Sequence, residues 1–346
     1  MTSVDAASGL EVRVGTAPPA GWSDLLAAAG PAEFTADAAW TALAAAHYPA
    51  AAGLWITAGR AGTPLGGLAV LQRRRRGLRR LESSLDGTLG GPQVRGDLAP
   101  DERRAVVRTL GRALAGRLRG TTGLAAMALA GTHREETAGI LAADGWRRDD
   151  YETAVVDCRE GLDHVGERLW TNNRRNERNR GLKRGCTLHG EPDPEALAAW
   201  YPLYAARAAA WAQAPVPLAF LTALVESRPD RLVFDHVRLG GEVVGGHLGF
   251  VSGGRLVAWQ GAVRPDLART HFLTTLLYWR DIMTACERGL AAVDFGGCVG
   301  RDSLWDFKRR CGAEPEPRTQ LVRRTAFGRA HGLLASALRR PKGGRS

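Results

Sequence analysis

Three stretches of the chain gather residue types suited to group transfer. From Trp170 to Gly185 six basic residues (Arg174, Arg175, Arg178, Arg180, Lys183 and Arg184) stand against one acid, Glu177. On a helix Arg174 and Arg178 share a face, with Arg175 beside them. Guanidinium groups so placed grip phosphates through paired hydrogen bonds, and a run of this kind also reads as a solvated helix face. The second stretch is Val293-Asp294-Phe295-Gly296-Gly297, followed by Phe307-Lys308-Arg309. Glycines at a strand end let backbone approach a ligand closely, and the C-terminal edge of a strand in an α/β sheet is a usual ligand position. The third is Trp259-Gln260-Gly261, a strand end leading into a helix, where backbone amides can stabilise the oxyanion of an acyl group.

Group transfer that releases a proton calls for a carboxylate or imidazole to take it. Asp294, His247 and Asp86, the last within Leu85-Asp86-Gly87-Thr88-Leu89-Gly90-Gly91-Pro92, are the candidates. His247 falls in a strand and reads also as a satisfied interior histidine. Asp294 reads equally as a brace for the glycine turn after it. Asp-Phe-Gly occurs in protein kinases too, but the chain has neither a glycine-rich loop with a strand lysine nor a His-Arg-Asp loop, which excludes that class.

These residues sit in a chain of ordinary globular composition, 346 residues with 45% hydrophobic and 24% charged side chains. That mixture excludes a disordered, collagen-like or membrane-bundle protein, and the length suggests two domains. The net charge of +11 favours polyanionic partners such as nucleic acid, anionic membrane or phosphorylated substrates. Yet 44 of the 47 basic residues are arginine, as in a GC-rich genome, so the charge alone is only suggestive and each of the three lysines gains interest. Five scattered cysteines without a Cys-x-x-Cys pair, and eight histidines without ligand-like spacing, give no disulfide framework and no metal site. The first residues lack the basic and apolar segments of an export signal, which leads to the expectation of a cytoplasmic protein.

The elements that must position the chemistry alternate along the chain. Helical patterns are expected over Asp37–His47, Pro100–Leu118 and His133–Ala143, and strands over Gly53–Ile56, Leu65–Gln72, Leu124–Leu129 and Thr153–Asp157. The second half repeats this order, with helices over Pro194–Gln213 and Leu218–Glu226, and strands over Leu232–Arg238, Val243–Val251 and Leu256–Val263. A long helix follows from an N-cap at Thr270 to a stop at Gly289, and then a strand over Ala291–Phe295. A G-x-x-x-G-G pattern, Gly62 to Gly67 and again Gly241 to Gly246, suggests an internal duplication. The residues from Thr325 onward read as a solvated basic tail.

In this order the three stretches resemble the acetyltransferase-like family that includes the Fem-type aminoacyl-transferases of peptidoglycan bridge synthesis. The likeness spans roughly Trp22 to Thr325 and rests on Arg174-Arg175-Asn176-Glu177-Arg178 with Gly185, on Asp294-Phe295-Gly296 and on Phe307-Lys308 with Gly312. It implies an α/β (α+β) fold of two tandem GNAT-like domains, each a mixed, largely antiparallel sheet flanked by helices. The expected division is an acceptor-side domain over 1–160, a donor-side domain over 161–325 and a tail over 326–346. The implied reaction is amide formation without a cofactor. Its donor is aminoacyl-tRNA, or acyl-CoA in an alternative reading. Its acceptor is a small biosynthetic intermediate, as in antibiotic biosynthesis, or a cell-wall precursor. Lys308 matches the family lysine that handles the charged adenosine end and the developing charge. The acceptor would bind near Asp86, while Arg174, Arg175, Arg178, Lys183, Arg309, Trp259, Gln260 and Gly261 would meet the donor. Ordinary GNAT enzymes place a Q/R-x-x-G-x-G/A loop before the long helix, where its amides cradle the CoA pyrophosphate. Here that stretch is Arg264-Pro-Asp-Leu-Ala-Arg-Thr-His271, without a glycine. A third class, a nucleic-acid-binding module without catalysis, would need the arginines but not Lys308.

Overall fold

A computed structural model describes residues 2–337 apart from positions 6, 31, 32, 76, 84, 86, 132, 191, 192, 229 and 299. The chain divides into two compact units. The first takes Met1–Asp150 and Thr319–Ser346, the second Tyr151–Arg318.

In the first unit, strands β1 (Thr2–Val4), β2 (Glu11–Gly15), β3 (Ala52–Arg60), β4 (Thr63–Arg75) and β5 (Leu78–Glu82) are successive antiparallel neighbours. The short β6 (Gln93–Val94) pairs with β4. Strand β7 (Thr122–Leu129) then runs parallel to β5, and β14 (Glu314–Arg324) returns from the far end of the sequence to pair antiparallel with β7 through Thr319–Arg324. Helices α1 (Trp22–Ala29) and α2 (Ala38–His47) precede β3, and Asp37 caps α2 by accepting from Ala39 N at 2.8 Å. Between β6 and β7 lies α3 (Pro100–Ala115), with proline in its first turn, and α4 (Arg134–Ala143) follows β7. Val106, Leu110 and Leu114 of α3 and Leu141 of α4 meet Ile56, Leu68, Val70 and Met127 of the sheet in one core, while Trp22 and Leu25 of α1 meet Trp55 and Ala69 in another.

The second unit begins within β8 (Arg147–Asp157) and continues through α5 (Gly161–His164), a single π turn over Val165–Leu169, α6 (Asn172–Lys183), β9 (Cys186–His189), α7 (Pro194–Ala210) and α8 (Leu218–Ser227). Strands β10 (Leu232–Leu239), β11 (Glu242–Ser252) and β12 (Arg255–Val263), helices α9 (Pro265–Ala268) and α10 (Leu273–Glu287), β13 (Ala292–Gly297) and α11 (Asp302–Arg310) complete it. The sheet runs β9-β10-β11-β12-β13-β8, antiparallel throughout except between β12 and β13. Each unit is thus the mixed, largely antiparallel sheet flanked by helices that the sequence leads one to expect. No helix among the described residues is long and apolar enough to cross a membrane.

Two local expectations are corrected. The long helix does not start from a Thr270 cap: Thr270 Oγ1 donates to Leu267 O (3.2 Å) at the end of α9, and Phe272, in the left-handed conformation, stands at the N-cap of α10. The segment after Thr325 is not wholly a tail, because Ala326–Ala337 forms helix α12. Gly328 makes this possible: a methyl group there would lie 2.0 Å from the carbonyl oxygen of Gly123 on β7. Residues 338–346 lie outside the described residues.

Candidate active site

Strands β12 and β13 hydrogen-bond only through Arg255↔Ala292, Leu256↔Val293 and Val257↔Asp294, after which both run on unpaired to each other. A bulge on each strand accompanies the parting. Opposite β11, Leu248 pairs with Gln260 but Gly249 with Ala258, leaving Trp259 as the extra residue. Opposite β8, the register shifts between Asp294 and Gly297. Bulges bend a strand and sharpen its twist. The result within the second unit is a gap with Trp259, Gln260 and Gly261 on one edge and Phe295, Gly296 and Gly297 on the other.

Buried groups hold the β13 edge. Asp294, 2% exposed, accepts from Gly296 N through Oδ1 (2.8 Å) and from Arg318 (2.6 Å) and Thr153 (3.3 Å) through Oδ2. Both oxygens are engaged, and Gly296 adopts a φ of 74°, which suits glycine. Lys308 on α11 is 3% exposed and donates to the carbonyl oxygens of Phe295 (2.6 Å), Gly296 (3.0 Å) and Gly297 (3.5 Å). An ammonium has three donors, and all three carbonyls belong to the gap edge. Burial pulls the Lys308 pKa below its usual 10.5, while neighbouring Cys298 and Asp294 oppose the shift. Lys308 therefore fixes the turn and brings positive charge beside it.

The arginines of α6 turn inward, onto the second unit itself. Arg174 lies over the Phe307 ring (4.1 Å to the centroid), is ion-paired with Glu177 and donates to Thr275 Oγ1 of α10 at 3.3 Å. Arg178 lies over Trp279 of α10 at 4.3 Å. Arg175 donates to the Gly166 (3.2 Å) and Glu167 (2.5 Å) carbonyls and to Asn172. Cation–π and hydrogen-bond contacts of this kind attach α6 to α10. Lys183 is exposed near the end of α6, and Arg309 is exposed and paired with Asp306 at 3.1 Å. Trp259, Gln260 and Gly261 are half-buried. Asp86 lies outside the described residues.

Sequence reasoning missed one group. Trp211, just after α7, is 44% exposed, and its ring lies between the guanidinium groups of Arg207 (4.4 Å) and Arg301 (4.5 Å). Among the described residues neither arginine has a carboxylate partner, and Arg207 Nε is buried without a hydrogen bond. Burial lowers the Arg207 pKa, while Tyr204 opposes the shift and Arg301 adds to it. Arg207 and Trp211 stand four apart in sequence, a spacing that signals a stacked pair. Below, Tyr278 stacks on Phe295 (4.1 Å) and meets Phe307 edge-on (5.1 Å), giving the turn an aromatic floor. His247 is paired through Nδ1 with Asp281 at 2.6 Å.

A splayed parallel strand pair followed by a lysine-held turn, inside a mixed sheet, is the arrangement of a GNAT fold. The family described as acetyltransferase (GNAT) domain matches residues 170–309. Among solved structures, FemX is similar over 93% of this chain and 99% of its own, with a TM-score of 0.65 and 12% identity. A tandem GNAT protein from the clavulanic acid biosynthesis pathway is similar over 90% and 98%, at 0.53 and 16%. L-PGS from Bacillus licheniformis is similar over 80% and 86%, at 0.54 and 13%. No curated protein matches the sequence. The chain has the Fem-type, tandem GNAT-like acyltransferase fold.

Proposed function

We propose that the protein forms amide bonds by transferring an aminoacyl group from aminoacyl-tRNA to an amine acceptor, a small biosynthetic intermediate or a cell-wall precursor. In this reading the second unit takes the donor and the first the acceptor. The observation that carries it is the way α6 covers the start of α10. A methyl group on Gly181 of α6 would lie 2.7 Å from the carbonyl oxygen of His271 and 2.8 Å from Leu276 Cδ1, and Arg184 hydrogen-bonds to Thr270 O. Ahead of them Arg264 is paired with Asp266 (2.7 Å) and Glu242 (3.3 Å). The stretch ahead of α10, where ordinary GNAT enzymes carry a glycine loop for the CoA pyrophosphate, has no such loop here, and its Arg264 is engaged with carboxylates. The unpaired Arg207 and Arg301 beside Trp211 instead suit a nucleotide end that brings phosphate.

The chemistry follows from the gap. The acyl carbonyl lies along the free edge of β12, and the amine nitrogen forms its bond to the carbonyl carbon as the ester bond to the ribose oxygen breaks. Lys308 keeps the opposite edge rigid and its positive field favours the charge that builds on oxygen. The deciding experiment supplies the purified protein with total charged tRNA and cell extract, and in parallel with acetyl-CoA. A new aminoacylated metabolite, found by mass spectrometry and abolished by RNase, is expected. Turnover with acetyl-CoA and without tRNA would replace this reading by acyl-CoA-dependent N- or O-acylation.

A further inference from the structure

On the α10 side of β12, three side chains lead inward from the strand edge. In the sheet ladder His247 of β11 stands between Asp235 of β10 and Gly261 of β12, directly opposite both. Gly261 lies four residues beyond Val257, the last β12 residue paired with β13, and so on the edge of the gap. Its lack of a side chain serves the histidine: a methyl group there would be 2.0 Å from His247 Cδ2 and 2.3 Å from Nε2. The other ring nitrogen, Nδ1, is 2.6 Å from Oδ2 of Asp281 on α10. Asp281 is 2% exposed and acts electrostatically on Asp235, which is fully buried.

Asp235 Oδ1 accepts from Thr284 Oγ1 (2.7 Å) and Arg280 Nε (3.4 Å), yet its Oδ2 is sealed from solvent with no donor. Two adjoining buried carboxyls do not both ionise, and burial together with Asp281 pushes Asp235 well above the usual carboxylate range. A proton on Asp235 turns the orphaned acceptor into a donor to Asp281. The other groups facing the cluster are Tyr278, its ring 5.5 Å from that of His247 and kept neutral by burial, and Arg280, paired with Glu287. From β12 the backbone of Gly261 lies against the His247 ring.

We infer that His247, Asp281 and protonated Asp235 form a proton relay, with His247 Nε2 as the general base at the β12 edge and the two carboxyls as positioning groups. The inference rests on the amide-forming reading above. Asp281 accepts from Nδ1–H and so leaves the Nε2 lone pair free. As the amine nitrogen bonds to the acyl carbon, its proton passes to Nε2. When the tetrahedral adduct collapses, the C–O bond breaks and Nε2–H returns that proton to the ribose oxygen, so the imidazole ends neutral.

The test compares wild type, His247→Gln and Asp281→Asn with saturating charged tRNA and, separately, acetyl-CoA, recording kcat against pH. With either donor, His247→Gln is expected to lower kcat by about 10²–10⁴-fold and to erase the fall of kcat on the acid side. Asp281→Asn is expected to keep that fall but move it to lower pH, because the imidazolium loses its counter-charge. Long-range proton–nitrogen spectra of imidazole-labelled wild type provide a readout that needs neither turnover nor a folded variant: the Nδ1–H tautomer is expected, and the Nε2–H tautomer would overturn the relay. A His247→Gln enzyme with wild-type kcat and profile overturns the relay alone. Absence of wild-type turnover with both donors overturns the functional reading and the relay's role with it.

Discussion

Asp294 and Arg318 form an ion pair of 2.6 Å in which the two side chains are 3% and 0% exposed. The pair joins the middle of β13 to β14 within the second unit and holds the carboxylate that receives Gly296 N. Asp294→Ala leaves a guanidinium buried beside Glu316 alone, and removing one partner of a sealed pair costs about 3–5 kcal/mol. The surviving Glu316 contact places the expected loss at the lower end. Urea unfolding measures it, and a loss under about 1 kcal/mol would show that the pair does not hold the turn.

Lys308 carries a pH signature. Its pKa is lowered by burial from 10.5, so between the lowered value and 10.5 the unfolded chain binds more protons than the folded one. Stability contributed by this group therefore rises with pH across that window. Lys308→Met should remove the rise, seen as urea midpoints that no longer climb relative to wild type in mild alkali, and should also depress transfer. Equal midpoint shifts in both proteins would count against the buried ammonium.

The two sets of arginines should behave differently toward charged tRNA. Replacing unpaired Arg207 or Arg301 by alanine should reduce the slope of log affinity against log salt by about one unit each, since each phosphate contact releases counterions. Arg174→Ala should instead lower the melting temperature, because its guanidinium is spent on Phe307, Glu177 and Thr275. Filter binding across a salt series, beside thermal melts, separates them. A slope change in Arg174→Ala with an unchanged melt would reverse the assignment.

The repeated glycine pair was open to view in the sequence, and its cause is steric. Gly66 and Gly67 in β4 lie under Val106 of α3 and Trp22 of α1, where methyl groups would come within 2.4 and 2.3 Å. In β11 the cause differs in part: Gly246 lies under Trp200 of α7 (2.8 Å), whereas a methyl group on Gly245 would meet Val263 of β12 (2.9 Å), with Leu277 of α10 at an ordinary 3.5 Å. The first pair admits one helix on either face of its sheet, and the second admits the α7 tryptophan on one face. Gly67→Ala and Gly246→Ala should each destabilise by about 1–3 kcal/mol through overpacking, read by urea unfolding, and a neutral Gly67→Ala would contradict the packing.

Other features were hidden for a physical reason. The basic segment 174–184 looks the same whether its arginines face water or aromatic rings, and the rings that cover it, Trp279 and Phe307, come from more than a hundred positions away. The strand over Glu314–Arg324 escaped notice because its prolines and charges hide the alternation. The start of α10 was misplaced because a threonine two residues ahead of the true cap serves α9 instead. Asp294 was legible as either base or brace, and only the positions of Arg318, Thr153 and Gly296 N show both of its oxygens occupied.

The thiols offer a further check. Cys158 and Cys311 are buried, with pKa values pushed up to about 12 by burial. Both should resist a thiol reagent in native protein at neutral pH and react in denaturant. Mass mapping of labelled peptides reads this directly, and rapid native labelling of Cys311 would contradict its enclosure.

The return of β14 to pair with β7 bears on how the protein is made. Thr319–Arg324 emerge from the ribosome only after every residue of the second unit, whereas β7, whose eight residues are all buried in the finished protein, emerges long before. Until that late strand arrives, β7 presents a bare, apolar edge open to wrong pairing. The usual course in which the N-terminal part folds first is therefore closed to this chain, and the continuous inner unit can reach its native state while the outer one still waits for its last strand.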